Sequence, residues 1–132
     1  MIDLEKFKPG IAKLAERKSL SLIVLYGSQA TGKAGKDSDI DIAILGERPL
    51  GFRDVTDLIN DFSDIFGSNE IDIKPLHFCD PLFRFQVMRD GILLFGDKKI
   101  FYSFRAFAFR DYFDSWDLFR LKEQMVQKRL AT

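Results

Sequence analysis

The chain has 132 residues, with 20 Lys+Arg balanced by 20 Asp+Glu, a single Cys and 14 Phe. That length fits one domain spanning residues 1–132, able to bury a core without staples, and one Cys provides neither an internal disulfide nor a zinc cluster. The formal net charge of zero excludes a strongly basic surface and argues against long nucleic acid as a partner. No apolar run approaches the roughly 20 residues of a membrane span and no secretory signal opens the chain, so the sequence reads as a reduced, cytoplasmic protein with no membrane partner.

The stretch from Met1 to Lys18 reads as a helix, with Pro9 in its first turn and Ile11, Leu14 and Ala15 on one face. Leu20 to Tyr26 is an apolar run of strand formers that stops at Gly27-Ser28. Residues 29–38 form a loop with room for one helical turn. Asp39 to Leu45 is a second strand, with Asp39 and Asp41 on one face and Ile40 and Ile42 on the other. Val55, Leu58, Ile59, Phe62, Ile65 and Phe66 repeat at helical spacing, placing a helix over Phe52–Phe66 that Gly67 closes.

Glu70 to Phe78 is a third strand. Asp80 and Pro81 open a helix to Arg89, and Asp90-Gly91 turns the chain into a short strand, Ile92 to Phe95. Residues 97–129 form a C-terminal helical segment, one long helix or two. Two strands separated by only a short loop favour a mixed or antiparallel sheet of about four strands in an α+β fold.

The chemistry concentrates at Gly27-Ser28 and Asp39-x-Asp41. Carboxylates two apart on a strand lie on one face, roughly 6–7 Å apart along the backbone, and can converge on one or two divalent ions. Ionised carboxylates are the usual protein ligands of Mg²⁺, with water and phosphate oxygens completing the shell. Gly27 lets the backbone approach a phosphate, and Ser28 adds a hydroxyl and an N–H where a helix would start. Two-metal phosphoryl transfer needs a third carboxylate. Asp72, between Ile71 and Ile73 in the third strand, supplies it from a deep position, while Glu70 sits at the solvated edge.

Each part has a plainer meaning. Gly-Ser is usually a turn, an Asp-x-Asp pair alone is a weak signal, and Asp72 could simply pair with Lys74. The combination is far more specific than any part, because Asp is disfavoured in strands.

Gly-Ser, ten residues (29–38), then Asp-x-Asp resembles the signature of the nucleotidyltransferase superfamily typified by DNA polymerase β and kanamycin nucleotidyltransferase. Ile71-Asp72-Ile73-Lys74 is similar to the segment holding that superfamily's third carboxylate. The short chain and the wording Asp37-Ser38-Asp39-Ile40-Asp41 look most like the minimal nucleotidyltransferases, the MNT proteins paired with HEPN toxins, and 107–114 is similar to their C-terminal helix.

The resemblance implies a sheet with helices on one side, two Mg²⁺ ions, ATP as substrate, and transfer of AMP to a hydroxyl, a tyrosine of a HEPN ribonuclease silenced by the modification. Asp39 and Asp41 would bind both metals and Asp72 the nucleophile-side metal. Gly27 and Ser28 would hold phosphate. The sequence departs from the family in two places: Gln29 stands where Arg often follows Gly-Ser, leaving Lys33 or Lys36 as the phosphate cation, and Pro75 stands where a further Asp is common. The competing functions are a non-catalytic antitoxin acting by occlusion and a small-molecule nucleotidyltransferase, for which the chain looks short of an acceptor domain.

His77 sits past the third carboxylate and is not needed for two-metal transfer, Cys79 reads as a small core residue, and Asp37 and Ser38 shape the loop. Phe101, Tyr102, Phe109, Tyr112, Phe113, Trp116 and Phe119 share one broad helical face, read as mostly core. Phe104 and Phe107 lie off it and point to contact with a second copy or a toxin subunit, in a homodimer or hetero-oligomer. Residues 120–129 read as a solvated helix end.

Overall fold

The computed structural model describes residues 3–33 and 39–131. Helix α1 (Leu4–Arg17) leads into β1 (Leu20–Tyr26), a one-turn helix α2 (Ser28–Thr31), β2 (Ile40–Gly46) and α3 (Phe52–Phe66). The chain continues through β3 (Ile71–Pro75), α4 (Pro81–Asp90) and β4 (Ile92–Phe95) into α5 (Lys98–Ala131). The strand order is β3-β2-β1-β4. β1 runs antiparallel to both β2 and β4, and β2 and β3 are parallel, joined by α3 as the crossover. The sheet is mixed, as the sequence reading expected.

Strand alternation divides the core. Ile23 and Leu25 of β1, Ile42 and Ile44 of β2 and Ile73 of β3 pack with Ile11, Leu14 and Ala15 of α1 and with Leu58 and Phe62 of α3. Their neighbours Leu22, Val24, Ala43 and Leu45 face the opposite way, onto Val87 and Met88 of α4 and Phe101 and Ala108 of α5. The helices therefore cover both faces of the sheet, not one side. β1 and β2 are apolar at nearly every position, so each needs cover on both faces.

Several element ends shift from the sequence reading, two of them by more than a residue or two for a physical reason. α1 begins at Leu4, because Leu4 and Phe7 pack on the first cluster, which leaves Pro9 inside the helix rather than in its first turn. Pro9 withholds the N–H that would have met the carbonyl of residue 5. The third strand stops at Pro75, which cannot donate to the ladder. The chain then turns, with the Leu76 N–H still bonded to the Ile44 carbonyl at 2.8 Å.

Arg84 of α4 is buried and fastens this turn. Its Nε donates to the Leu76 carbonyl (2.9 Å), Nη2 to the His77 carbonyl (3.0 Å) and Nη1 to the Asp111 carboxylate of α5 (3.2 Å).

α5 is one helix of 34 residues, about 51 Å long at 1.5 Å per residue. Only Phe101 and Ala108 of it are buried. The expectation of a mostly buried aromatic face holds for Phe101 and, in part, for Phe109 and Tyr112, which stack around Phe85. It fails for Tyr102, Phe113, Trp116 and Phe119, all more than half exposed. Periodicity identified the face, but the helix outruns the body that would cover it. Phe104, placed off that face, packs against the second cluster, while Phe107 is exposed. Among the described residues no helix is long and apolar enough to cross a membrane.

Candidate active site

β1, β2 and β3 bring three side chains into one row. Tyr26 pairs with Asp41 across the antiparallel β1–β2 ladder, and Asp41 pairs with Asp72 across the parallel β2–β3 ladder. By alternation all three face the side covered by α4 and α5. Asp39, two residues before Asp41, is exposed immediately ahead of β2. The residue 72 carboxylate thus lies on the same face as that of Asp41.

Asp72 is the second residue of β3 and its side chain is half exposed, so it opens the strand and is not deep. Lys74 Nζ stands 3.9 Å from its Oδ1, and the Tyr26 hydroxyl donates to its Oδ2 at 3.4 Å.

Charge crowding is visible in the acid equilibria. The Asp41 carboxyl is pushed above the usual carboxylate range by burial, then by the charges of Asp72 and Asp39, with Lys74 opposing. The Tyr26 phenol is pushed well above its ordinary value by burial and by the Asp72 and Asp41 charges, so it remains a hydrogen-bond donor throughout the neutral range.

Gly27 has φ +72°, and a Cβ there would overlap the Asp41 carboxylate. The glycine is required by the carboxylate beside it as well as by any phosphate approaching it.

Ser28 opens α2, half-buried, and Lys33 is exposed just past that turn. Gln29 is buried, 7% exposed, and so offers no side chain to an anion at the surface. Lys36, and with it Asp37 and Ser38, lies outside the described residues. The His77 carbonyl accepts from Arg84, and its ring lies tilted beside Phe78. Tyr26 was the residue that sequence reasoning read only as a strand end. The signal available was its place just before Gly-Ser, since an antiparallel pair joined by a loop sets the last residue of one strand opposite the first residues of the next.

The donors suit a hard divalent cation: oxygens only, two carboxylates in register and a third just before them. Among the described residues, no three His, Cys, Asp or Glu side chains are already drawn together as a metal-holding group.

Residues 10–100 match the family model described as Polymerase beta, Nucleotidyltransferase, and the chain belongs to that family. It is 33% identical over 88 residues to the protein adenylyltransferase MntA of Aphanizomenon flos-aquae (strain 2012/KM1/D3), a match covering 59% of this chain. The chain spans only 58% of the length of that curated relative.

Among solved structures, the fold matches a chain of a toxin–antitoxin crystal structure with AMP-PNP at TM-score 0.72, with 23% identity, over 95% of this chain and 98% of that one. It also matches a chain of a tri-AMPylated Shewanella oneidensis HEPN toxin in complex with MNT antitoxin, at TM-score 0.68 and 21% identity, over 98% of this chain and 99% of that one.

Proposed function

We propose that the protein is a cytoplasmic nucleotidyltransferase that moves AMP from ATP to a protein hydroxyl, a tyrosine of a HEPN-type ribonuclease partner, and so acts as its antitoxin. The observation that carries this reading is the pairing of Asp41 with Asp72 on one face of the sheet, beside a glycine that has no room for a side chain. Family membership and the likeness to a protein adenylyltransferase support it.

Asp39, Asp41 and Asp72 would hold two Mg²⁺ ions, which when bound supply charge neutralisation on the phosphates and a lowered pKa for the acceptor hydroxyl. Tyr26 orients the Asp72 carboxylate through its hydroxyl. Gly27 keeps Asp41 in place and leaves the backbone open to a phosphate, with Ser28 and the exposed Lys33 beside it, and Lys36 in the same loop by sequence. In the reaction the acceptor oxygen bonds to the α-phosphorus, the α–β phosphoanhydride bond breaks in line, and pyrophosphate leaves. The hydroxyl proton passes to solvent.

The uncovered apolar stripe of α5, including Phe113, Trp116 and Phe119, supports a protein partner, because an exposed patch of that kind marks an interaction surface. The same stripe favours a second reading, neutralisation by occlusion alone. Co-expression with the neighbouring gene product, followed by intact-mass measurement of the partner, separates the two. Transfer gives increments of one or more AMP units with wild-type protein and none with Asp41→Asn. Full neutralisation by Asp41→Asn, with no mass increment in either case, overturns the catalytic reading.

A further inference from the structure

The sheet has two edges, and only one is guarded. β3, at one edge, carries Asp72, Lys74 and Pro75, two charges and a residue without an N–H. Charged side chains and proline are the usual means by which an edge strand refuses a further strand. β4, at the other edge, reads Ile92-Leu93-Leu94-Phe95, with neither charge nor proline. Among the described residues it pairs only with β1, so no strand lies along its outer row of N–H and C=O groups.

The space beside it is open and apolar-walled. A cavity of about 640 Å³ lies against Leu93, Leu94 and Phe95, with Ala12 and Lys8 of α1 on its border. Both ends of the strand are held tightly. A Cβ on Gly91 would meet Val24 and the Val87 carbonyl, and one on Gly96 would meet Leu22 and the Ser21 carbonyl. β4 is therefore already ordered for pairing, which lowers the cost of adding a strand.

The composition of the edge selects the occupant. In an antiparallel pairing, the residues before one strand lie beside those after the other. Arg89 and Asp90 precede β4, and Asp97 and Lys98 follow it. A second copy would therefore bring two cations and two anions to each junction, with no net charge, while the strand residues meet only apolar partners. The edge is complementary to itself, as a twofold contact requires.

We infer that β4 pairs antiparallel with β4 of a second copy, joining two four-stranded sheets into one of eight. The twofold of an antiparallel pair stands normal to the sheet, so both copies turn their α4–α5 faces, and both acid rows, to the same side. The ladder is short. Four residues span about 13 Å, and a bulge interrupts the strand where it meets Ile23 and Val24. The dimer is accordingly a weak one, with a dissociation constant on the order of 10 µM.

Sedimentation of the full chain across that concentration range, with hydrogen exchange read at the same concentrations, tests the pairing. Wild type should pass from monomer to dimer, and the amides of residues 92–95 should gain protection as it does. Lys98→Glu, an exposed change, leaves each junction with excess negative charge and should weaken the dimer about tenfold, from one exposed ion pair turned to repulsion at each of two junctions. Adding Asp90→Lys restores neutrality and should restore the dimer. A chain that stays monomeric overturns the inference, as does a dimer whose 92–95 amides exchange no more slowly than the monomer's. A dimer abolished by Trp116→Asp assigns self-association to the α5 stripe and overturns it too. Protection of 92–95 seen only when another protein is added gives the edge to that protein's strand and overturns self-pairing.

Discussion

The two faces of the sheet differ in what they ask of the sequence. Under α1 and α3 the strands bury Ile and Leu, with Phe95 at the edge, and Phe62 is fully buried among them. Under α4 and α5 the same strands present Leu22, Val24 and Ala43 toward the middle, but Tyr26, Asp41 and Asp72 at one end. One face is cohesion throughout. The other grades from cohesion into a row of mutually repelling acids. Period-two alternation lets a single strand serve both, so substitutions one residue apart should have different consequences.

The largest expected contrast is between Asp41→Asn and its neighbour Ile42. Loss of a carboxylate from a metal-assisted transfer should lower turnover on the order of 10³-fold, from several kcal/mol of lost transition-state stabilisation, while circular dichroism stays unchanged. Ile42→Ala, fully buried on the other face, should destabilise the fold by about 2–5 kcal/mol and leave per-molecule turnover near wild type below the melting transition. A destabilised Asp41→Asn, or an inactive but folded Ile42→Ala, breaks the division between faces.

Phe62→Ala should cost about 3–5 kcal/mol in denaturant unfolding. Truncation at Ser115 removes only exposed helix and should leave that measurement unchanged. The same truncation should abolish the partner complex, and Trp116→Asp alone should weaken it by about 30-fold or more, as for a central aromatic anchor. Sedimentation of the mixture provides the check.

The smallest effects have opposite pH signs. Asp54, outside the site, has its carboxyl held below the usual range by the Gly51 N–H at 2.9 Å and by Arg48. Its folded value is depressed, so its stabilisation is present above the unfolded value and is lost as pH falls through the folded one. Asp41 is raised. Its folded form is favoured on the acid side, and that advantage is lost as pH rises through the raised value. Thermal melts without divalent ions should therefore show Asp54→Asn less stable than wild type at pH 7, with the gap closing in acid. Asp41→Asn should be slightly more stable than wild type at pH 7, with its gap also closing in acid. Like signs at pH 7 would contradict the electrostatics of the row.

Much of this was legible in the residues. β1, α3 and β4 fall at their expected bounds because each is a periodic or apolar run closed by glycine or a turn. The candidate site stands out as a pattern, since Gly-Ser followed by Asp-x-Asp is far more specific than either part. The pairing of Asp41 with Asp72 was not legible, because register across the α3 crossover is a long-range property. The burial of Gln29 and the exposure of Trp116 were hidden for the same reason: periodicity says which side chains share a face, not whether anything lies against it. The placement of helices on both faces follows from the unbroken apolar run in β1 and β2, a signal present in the sequence but overridden by the family likeness.

The parallel pairing of β2 and β3 sets when the site can exist. Asp41 and Asp72 are 31 positions apart (72 minus 41) and meet only after α3 has crossed the sheet and β3 has docked. Such contacts are made late, since the loop must close before the pairing repays it. A chain still emerging or partly unfolded would carry every acid of the signature and yet have no assembled centre, so the proposed transfer, if measured, would report that the whole crossover has folded.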